Sequence, residues 1–303
     1  MNEVLKDYYN IDVITIISVS SSSYKIKAKQ GSYFLKYVTS SSLENIINKL
    51  AMLHIDTFNY IIKNNWGYYV TSNDDISFIL SNSIEEDNVD AKEIKMKMFI
   101  NKIANLHSKS FFTLDVSKDF FIETFEFIEN KLIDVSSYLE QLMEMIEKED
   151  YKSPFEWMFV LNYGYLKSCM DKSYDYLQKF KTSCENKTSI RMVLAYLNFD
   201  YSHILVKKEK IISIENMVNA PPIYDIVDMI DKGYSNNFDL SSVLEQYHKV
   251  FPLQEYEKMW LLALLFIPKV NFNYYSDIDL IKQLIDILEY NKCIEKIESI
   301  ITK

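Results

Sequence analysis

Of the 303 residues only four are glycine, five are proline and three are cysteine, and Arg191 is the sole arginine. With so few glycines there are few places where the backbone can turn left-handed without cost or come close to a ligand, which argues against an ordinary glycine-rich phosphate loop. The cysteines, Cys169, Cys184 and Cys293, are an odd set with no Cys-x-x-Cys pair and no histidine at metal-ligand spacing. Reduced, mostly buried thiols are expected, not a disulfide frame or a zinc site. Positive charge is short as well: 33 basic residues face 43 acidic ones, for a formal charge of -10. A binder of phosphate backbones needs a basic face, so nucleic acid is not expected as a partner. The longest apolar stretch, Trp260 to Ile267, is far too short to span a bilayer, and the N-terminus lacks the basic-then-apolar pattern of a leader. A soluble, unexported chain with no membrane partner is expected.

What is present is ordinary in hydrophobicity and rich in aromatics. Hydrophobic residues make up 48% and charged residues 25%, with 23 tyrosines and 18 phenylalanines, so the chain can bury a sizeable core. At roughly 150 residues per domain the length suits two domains or one large two-lobed one. Residues 1–83 read as strand-rich. Tyr24 to Ala28 alternates, Gln30-Gly31 makes a turn, and Tyr33 to Val38 returns. The two-residue period puts Phe34, Lys36 and Val38 on one face and Tyr33, Leu35 and Tyr37 on the other. Tyr68 to Thr71, a turn at Asn73-Asp74-Asp75, and Ile76 to Leu80 predict a second hairpin. Between them, Ser42 to Lys63 predicts a serine-capped helix from Leu43, Ile46, Ile47, Leu50, Leu53 and Ile61.

After the polar run Asn82 to Asp90 helical spacing takes over, and the domain boundary is placed there, giving 1–83 and 84–303. Lys92 to Ser108, Thr124 to Lys148 and Phe155 to Lys181 each repeat apolar residues at three- and four-residue steps. One hairpin interrupts the helices, from Ile204 to Val206 and from Ile211 to Ile214, around the turn Lys207 to Lys210.

A small strand-rich lobe with a lysine on its third strand, followed by helices that enclose a lone hairpin, is the order of elements in protein-kinase-like phosphotransferases. Local matches sharpen this. Tyr33-Phe34-Leu35-Lys36 looks like the strand whose lysine holds ATP phosphates, and Ile103-Ala104-Asn105-Leu106-His107-Ser108 is similar to a "LAxLHS" helix end. Leu197-Asn198-Phe199-Asp200-Tyr201-Ser202-His203-Ile204-Leu205-Val206 lines up with the catalytic loop "GDLHPGNILV", Ile214-Glu215-Asn216 with "IDW", and Tyr224-Asp225-Ile226-Val227 with "YDLA". On these residues the chain resembles the aminoglycoside phosphotransferase and choline kinase family. The resemblance implies a bilobal, protein-kinase-like α+β fold with a small antiparallel-sheet N-lobe and a large, mainly helical C-lobe.

It also implies a site, and two of its three chemically important motifs are altered. The family's catalytic aspartate falls on Asn198, its metal-binding asparagine on His203 and its metal-binding aspartate on Glu215; Lys36 is intact. Phosphoryl transfer needs a carboxylate for the acceptor hydroxyl, Mg²⁺ on hard oxygen ligands and a cation on the phosphates. An amide at 198 orients a hydroxyl but takes no proton at neutral pH, and imidazole suits Mg²⁺ poorly. Glu215 keeps an oxygen ligand. Asp200, the one carboxylate left in the loop, is the candidate displaced base. Ile17 to Tyr24 has no glycine, so the hydroxyls of Ser21 and Ser22 are the candidate substitutes for a phosphate loop. Glu44 is the nearest acid on the following helix to pair with Lys36. His107 and Asp225 read as structural.

The altered catalytic loop and the Tyr/Lys/Ile/Asn-rich composition most resemble the CotS-like, kinase-related spore coat family. That resemblance implies synthesis in the cytoplasm of a sporulating bacterium, association with the spore coat and other coat proteins as partners. Two readings stay open. The preferred one is a degenerate kinase, or pseudokinase, that acts by binding partners with phosphotransfer lost or much reduced. The alternative is an active ATP- and Mg²⁺-dependent phosphotransferase that modifies a small-molecule hydroxyl.

Overall fold

The computed structural model describes residues 1–39, 42–73, 76–84, 91–234, 239–272 and 276–302. Near the N-terminus the alternating runs pair largely as they read. A short helix α1 (Asn2–Tyr9) precedes β1 (Val13–Ser20), β2 (Ser23–Ala28) and β3 (Gly31–Val38); helix α2 (Leu43–Met52) then leads to β4 (Val70–Asn73) and β5 (Ile76–Asn82). The strands form one antiparallel sheet in the order β1-β2-β3-β5-β4. Gly31 opens β3 at φ +151, a conformation closed to most side chains, so this glycine is required. One face of the sheet packs on α1 through Leu5, Ile26, Leu35, Phe78 and Leu80, the first and last fully buried. Each such side chain contributes about 1.5–3 kcal/mol.

The predicted helix from Ser42 to Lys63 is shorter than its apolar spacing suggests. It stops at Met52, because His54 takes a left-handed conformation at φ 49 and the chain then runs on irregularly. Ile61 lies outside the helix and bridges to Ser81 at the end of β5. Of the predicted second turn, Asp74 and Asp75 lie outside the described residues, as do residues 85–90 of the polar run.

The chain folds as two compact units, one of residues 1–111 with 193–220 and the other of residues 112–192 with 221–303. The change of sequence pattern at 83/84 is therefore not where this division falls. Helix α3 (Lys92–Ser110) belongs with the sheet, burying Met96, Phe99, Ile100, Ile103 and Leu106. Phe99 stacks edge-on against Tyr196 and Phe199, with ring centroids 5.7 and 4.8 Å away. His107, near the end of α3, is fully buried.

In the second unit β6 (Phe112–Asp115) is followed by the long helices α4 (Lys118–Glu147) and α5 (Pro154–Cys184), and β6 pairs with the start of β7 (Ser189–Ala195). Helix α5 starts with a capping box, Ser153 accepting from the Glu156 N–H and Glu156 from the Ser153 N–H, with Pro154 at its first position. Back in the first unit, the end of β7 pairs with β10 (Val218–Ala220), and between them the predicted hairpin is present as the two-residue strands β8 (Ile204–Leu205) and β9 (Lys210–Ile211). Helices α6 (Ile223–Gly233), α7 (Leu240–Val250), α8 (Glu255–Leu265) and α9 (Asp277–Ile301) complete the second unit, where Asp225 is buried in α6 and α8 is buried along nearly its whole length. Among the described residues no helix is long and apolar enough to cross a membrane.

Candidate functional site

The two-residue period that sends Leu35 into the core sends Phe34 and Lys36 to the opposite face of β3. There they line a cavity of about 500 Å³ within the first unit, with Val19, Ile61, Ile79, Leu205 and Ile212 as apolar walls and Lys95, His203, Ser213 and Glu215 among the polar ones. That volume is in the range of small-molecule sites.

Lys36 Nζ donates to Glu215 Oε1 at 2.5 Å and to Ser213 Oγ at 3.2 Å. Both side chains of the ion pair are largely shielded, at 21% and 19% exposure, so water screens the pair only in part. Asn198 closes the group, its Nδ2 donating to the Ser213 carbonyl at 3.2 Å and to Glu215 Oε1 at 3.4 Å. Glu215 Oε2 is buried with no hydrogen-bond partner among the described residues. The backbone is strained on both sides of this group: Leu197 sits at φ 51 and Ser213 at φ 67, left-handed conformations that a leucine and a serine rarely take.

The loop after Asn198 is fixed by aromatic packing and by a cap. Tyr196, fully buried between Phe58 and Phe99, donates its hydroxyl to the Ile212 carbonyl at 2.6 Å. His203 Nδ1 is 3.1 Å from that hydroxyl and 3.1 Å from the Asn198 carbonyl oxygen. Asp200 stands at the N-cap of a 3₁₀ turn and accepts from Ser202 N at 2.7 Å and Ser202 Oγ at 2.6 Å. Lys95, nearly buried on α3, donates to the Tyr201 carbonyl at 2.9 Å. Burial holds the Tyr201 hydroxyl well above the ordinary tyrosine range, so it stays protonated.

Lys36, Asn198, His203 and Glu215 thus come together, although Lys36 and Glu215 are 179 positions apart in the chain. Ser21 and Ser22 form the tight turn between β1 and β2, where Ser22 N donates to Ser20 Oγ at 3.3 Å; Ser23, one residue on, lines the cavity. Glu44 is not the partner of Lys36. Its Oε2 accepts from the N–H groups of Tyr69 at 2.9 Å and Val70 at 2.7 Å, which ties α2 to the strand that follows. Sequence reading missed Ser213 and Lys95. Ser213 carried no turn signal, since glycine or asparagine marks most left-handed positions, and Lys95 sat unremarked among five lysines of one helix.

No protein-family model matches the sequence, and neither does any curated protein. Solved structures do match. An aminoglycoside phosphotransferase from Alicyclobacillus acidocaldarius superposes with a TM-score of 0.72 at 10% identity, over 100% of this chain and 96% of that one. The fold is kinase-like. A spectinomycin phosphotransferase in its AMP-bound form follows at TM-score 0.57 and 15% identity, over 97% and 96% of the two chains. A microcompartment-associated aminopropanol kinase gives 0.52 at 11%, over 98% and 96%. At such identities the likeness is one of fold, and it carries the small antiparallel sheet followed by a mostly helical remainder.

A nucleotide and a divalent cation are the groups such a fold implies. Lys36 is a cavity-lining cation of the kind that phosphates need, although its ammonium is held by Glu215, whose other oxygen, Oε2, is buried without a hydrogen-bond partner among the described residues. The chain supplies few other ligands: among the described residues no three His, Cys, Asp or Glu side chains group as a metal site. A cation here would draw on Glu215 and His203, with ligand phosphates and water completing its shell.

Proposed function

We propose that this chain is a degenerate kinase-like protein that keeps a phosphate-binding cavity, has lost most or all phosphotransfer, and acts by binding partners. The observation that carries this reading is the state of Asn198. At the position where the resemblance puts the catalytic carboxylate, an amide donates to Ser213 and Glu215, and an amide takes no proton from an acceptor hydroxyl. The one alternative carboxylate of the loop, Asp200, is held by the backbone and hydroxyl of Ser202. Losing a positioned general base removes roughly 10²–10⁴ in rate.

A second reading, an active ATP-dependent phosphotransferase for a small-molecule hydroxyl, is favoured by Lys36 and Glu215 lining one cavity. Thermal unfolding with and without ATP and a divalent cation, followed by coupled detection of ADP, separates the two. Stabilisation by nucleotide without ADP formation in the presence of aminoalcohols or aminoglycosides supports the degenerate reading, and acceptor-dependent ADP formation overturns it. The spore coat setting rests on the resemblance to the CotS-like family alone. Fluorescence of a tagged chain in sporulating cells tests it, with diffuse mother-cell signal as the adverse result.

A further inference from the structure

Glycine is scarce in this chain, and one of its four stands where the fold does not require it. Gly31 and Gly67 take positive φ. Gly164 does not; it lies exposed in the interior of α5, and apart from its chain neighbours and its own helix backbone no described atom is within 4 Å of where a Cβ would stand. Most other residues there would make a more stable helix. A glycine inside a helix commonly marks a close approach, and no group among the described residues makes one here.

The same face of α5 carries large apolar side chains that protrude. At about 3.6 residues per turn, Trp157, Leu161, Gly164, Ser168, Asp171 and Asp175 fall in one sector, opposite the buried Phe159, Leu166 and Leu177. Leu161 is 79% exposed and Trp157 56%. Lys152, just before the helix, holds its ammonium 5.8 Å from the centre of the Trp157 ring and so stands on this face too. Tyr151 beside it is almost wholly exposed. The face is thus apolar and protruding toward one end, and flat and acidic toward the other.

We infer that this face binds a second copy of the chain, α5 against α5, antiparallel about a two-fold axis between residues 162 and 163. One register satisfies every feature of the face. Leu161 falls opposite Gly164 of the second copy and Trp157 opposite Ser168, so each protruding side chain meets a position with room for it. Tyr151 falls opposite the half-exposed Tyr174. Lys152 falls opposite residue 173, between the exposed Asp171 and Asp175 of the second copy. Each contact then occurs twice, as a two-fold interface requires. Two chains of formal charge -10 repel in most orientations, and this register instead sets opposite charges together. With an aromatic side chain at about 150–250 Å², Tyr151, Trp157, Leu161 and Tyr174 together expose roughly 500 Å² per copy. A standard interface buries about 800 Å² per copy, so a dimer that dissociates on dilution is expected. The inference stands whether or not the cavity of the first unit takes a phosphate ligand.

Sedimentation equilibrium of the full chain from about 1 µM to about 1 mM tests this, with dimer expected to form as concentration rises. Gly164→Gln fills the recess and is expected to weaken the dimer at least about tenfold. The same variant should melt at or above the temperature of the unaltered chain, since glutamine favours the helix and meets no neighbour, which shows that it folds. Charge reversal checks the register. Lys152→Asp alone, and Asp171→Lys with Asp175→Lys alone, should each be monomeric, because each sets like charges together. An equimolar mixture of the two should dimerise, because in the mixed pair both contacts are again between opposite charges. A chain that is monomeric at every concentration, or a dimer indifferent to Gly164→Gln, overturns the inference. So does a mixture of the reversed chains that stays monomeric.

Discussion

Asn198 Nδ2 is a donor to two acceptors, the Ser213 carbonyl at 3.2 Å and Glu215 Oε1 at 3.4 Å. An aspartate at that position has no hydrogen to give either. Asn198→Asp, the change that restores a carboxylate to the loop, is therefore expected to destabilise the protein at neutral pH by about 1–3 kcal/mol, as acceptors are left opposed and two carboxylates meet. A cation between them relieves the clash, so a divalent cation with ADP should recover more stability in this variant than in the unaltered chain. Thermal melts with and without the pair check this; an Asn198→Asp protein as stable as the original would mean that the amide's bonds do not matter.

Lys36 and Glu215 lead to a second prediction. Removing the lysine leaves a shielded carboxylate with neither oxygen paired to a cation. Breaking a fully buried pair costs about 3–5 kcal/mol, and the 21% and 19% exposure of these side chains reduces that to roughly 2 kcal/mol. Lys36→Met should lower the melting temperature accordingly and abolish stabilisation by ADP, whereas the double variant Lys36→Met with Glu215→Leu should regain much of the lost stability but none of the ligand response. Stabilisation by ADP that survives Lys36→Met would remove this lysine from the phosphate site.

The orientation of Lys36 was legible from the sequence because it depends on a period of two along six residues, and the sheet kept that period. The end of α2 was not, since Leu53 and Ile61 continue the apolar spacing while His54 breaks the helix by a left-handed turn that histidine rarely signals. The ion pair itself was beyond local pattern. Glu44 lies near Lys36 in sequence and Glu215 lies 179 positions away, yet Glu44 is drawn to the amides of Tyr69 and Val70. The motif resemblance pointed to Asn198, His203 and Glu215, but the bonds that fix His203 depend on a buried Tyr196 and the Ile212 carbonyl, which none of those motifs contains.

The sole arginine has a structural task in the second unit. Arg191 forms a bidentate pair with Glu257, a residue with 0% exposure, through Nε to Oε1 at 3.0 Å and Nη2 to Oε2; Nη2 also reaches the Pro252 carbonyl at 3.0 Å. The guanidinium lies 4.1 Å from the centre of the Phe251 ring. A lysine supplies neither the fork nor the stacking plane. Arg191→Met should cost about 3 kcal/mol by leaving the buried Glu257 carboxylate without a cation, its remaining donors being the Gln254 N–H and the Tyr256 hydroxyl, and Arg191→Lys should recover only part of it. Urea midpoints measure both, and an Arg191→Lys protein indistinguishable from the original would show that charge alone suffices.

The thiols predict how the protein fails in alkali. Burial pushes Cys169 and Cys184 on α5 from an ordinary value near 9 up to about 11, and raises Cys293 as well; burial likewise lifts Tyr9 to about 12. Each of these groups holds its proton in the folded chain at a pH where the unfolded chain has lost it. The folded state then binds more protons than the unfolded one, so unfolding free energy falls as pH rises. The contribution is fully present below pH 9, declines between about 9 and 11 for the two cysteines, and continues to decline toward 12 for Tyr9. Urea denaturation at a series of pH values should show that slope. Replacing Cys169 and Cys184 by alanine should flatten it between 9 and 11 while lowering stability at neutral pH. At pH 8 an aromatic disulfide reagent should find Cys169 and Cys184 slow until the chain unfolds, because thiolate, the reacting form, is scarce and the sulfurs are buried. Rapid reaction of both in the native protein would mean that α5 opens far more readily than its packing implies.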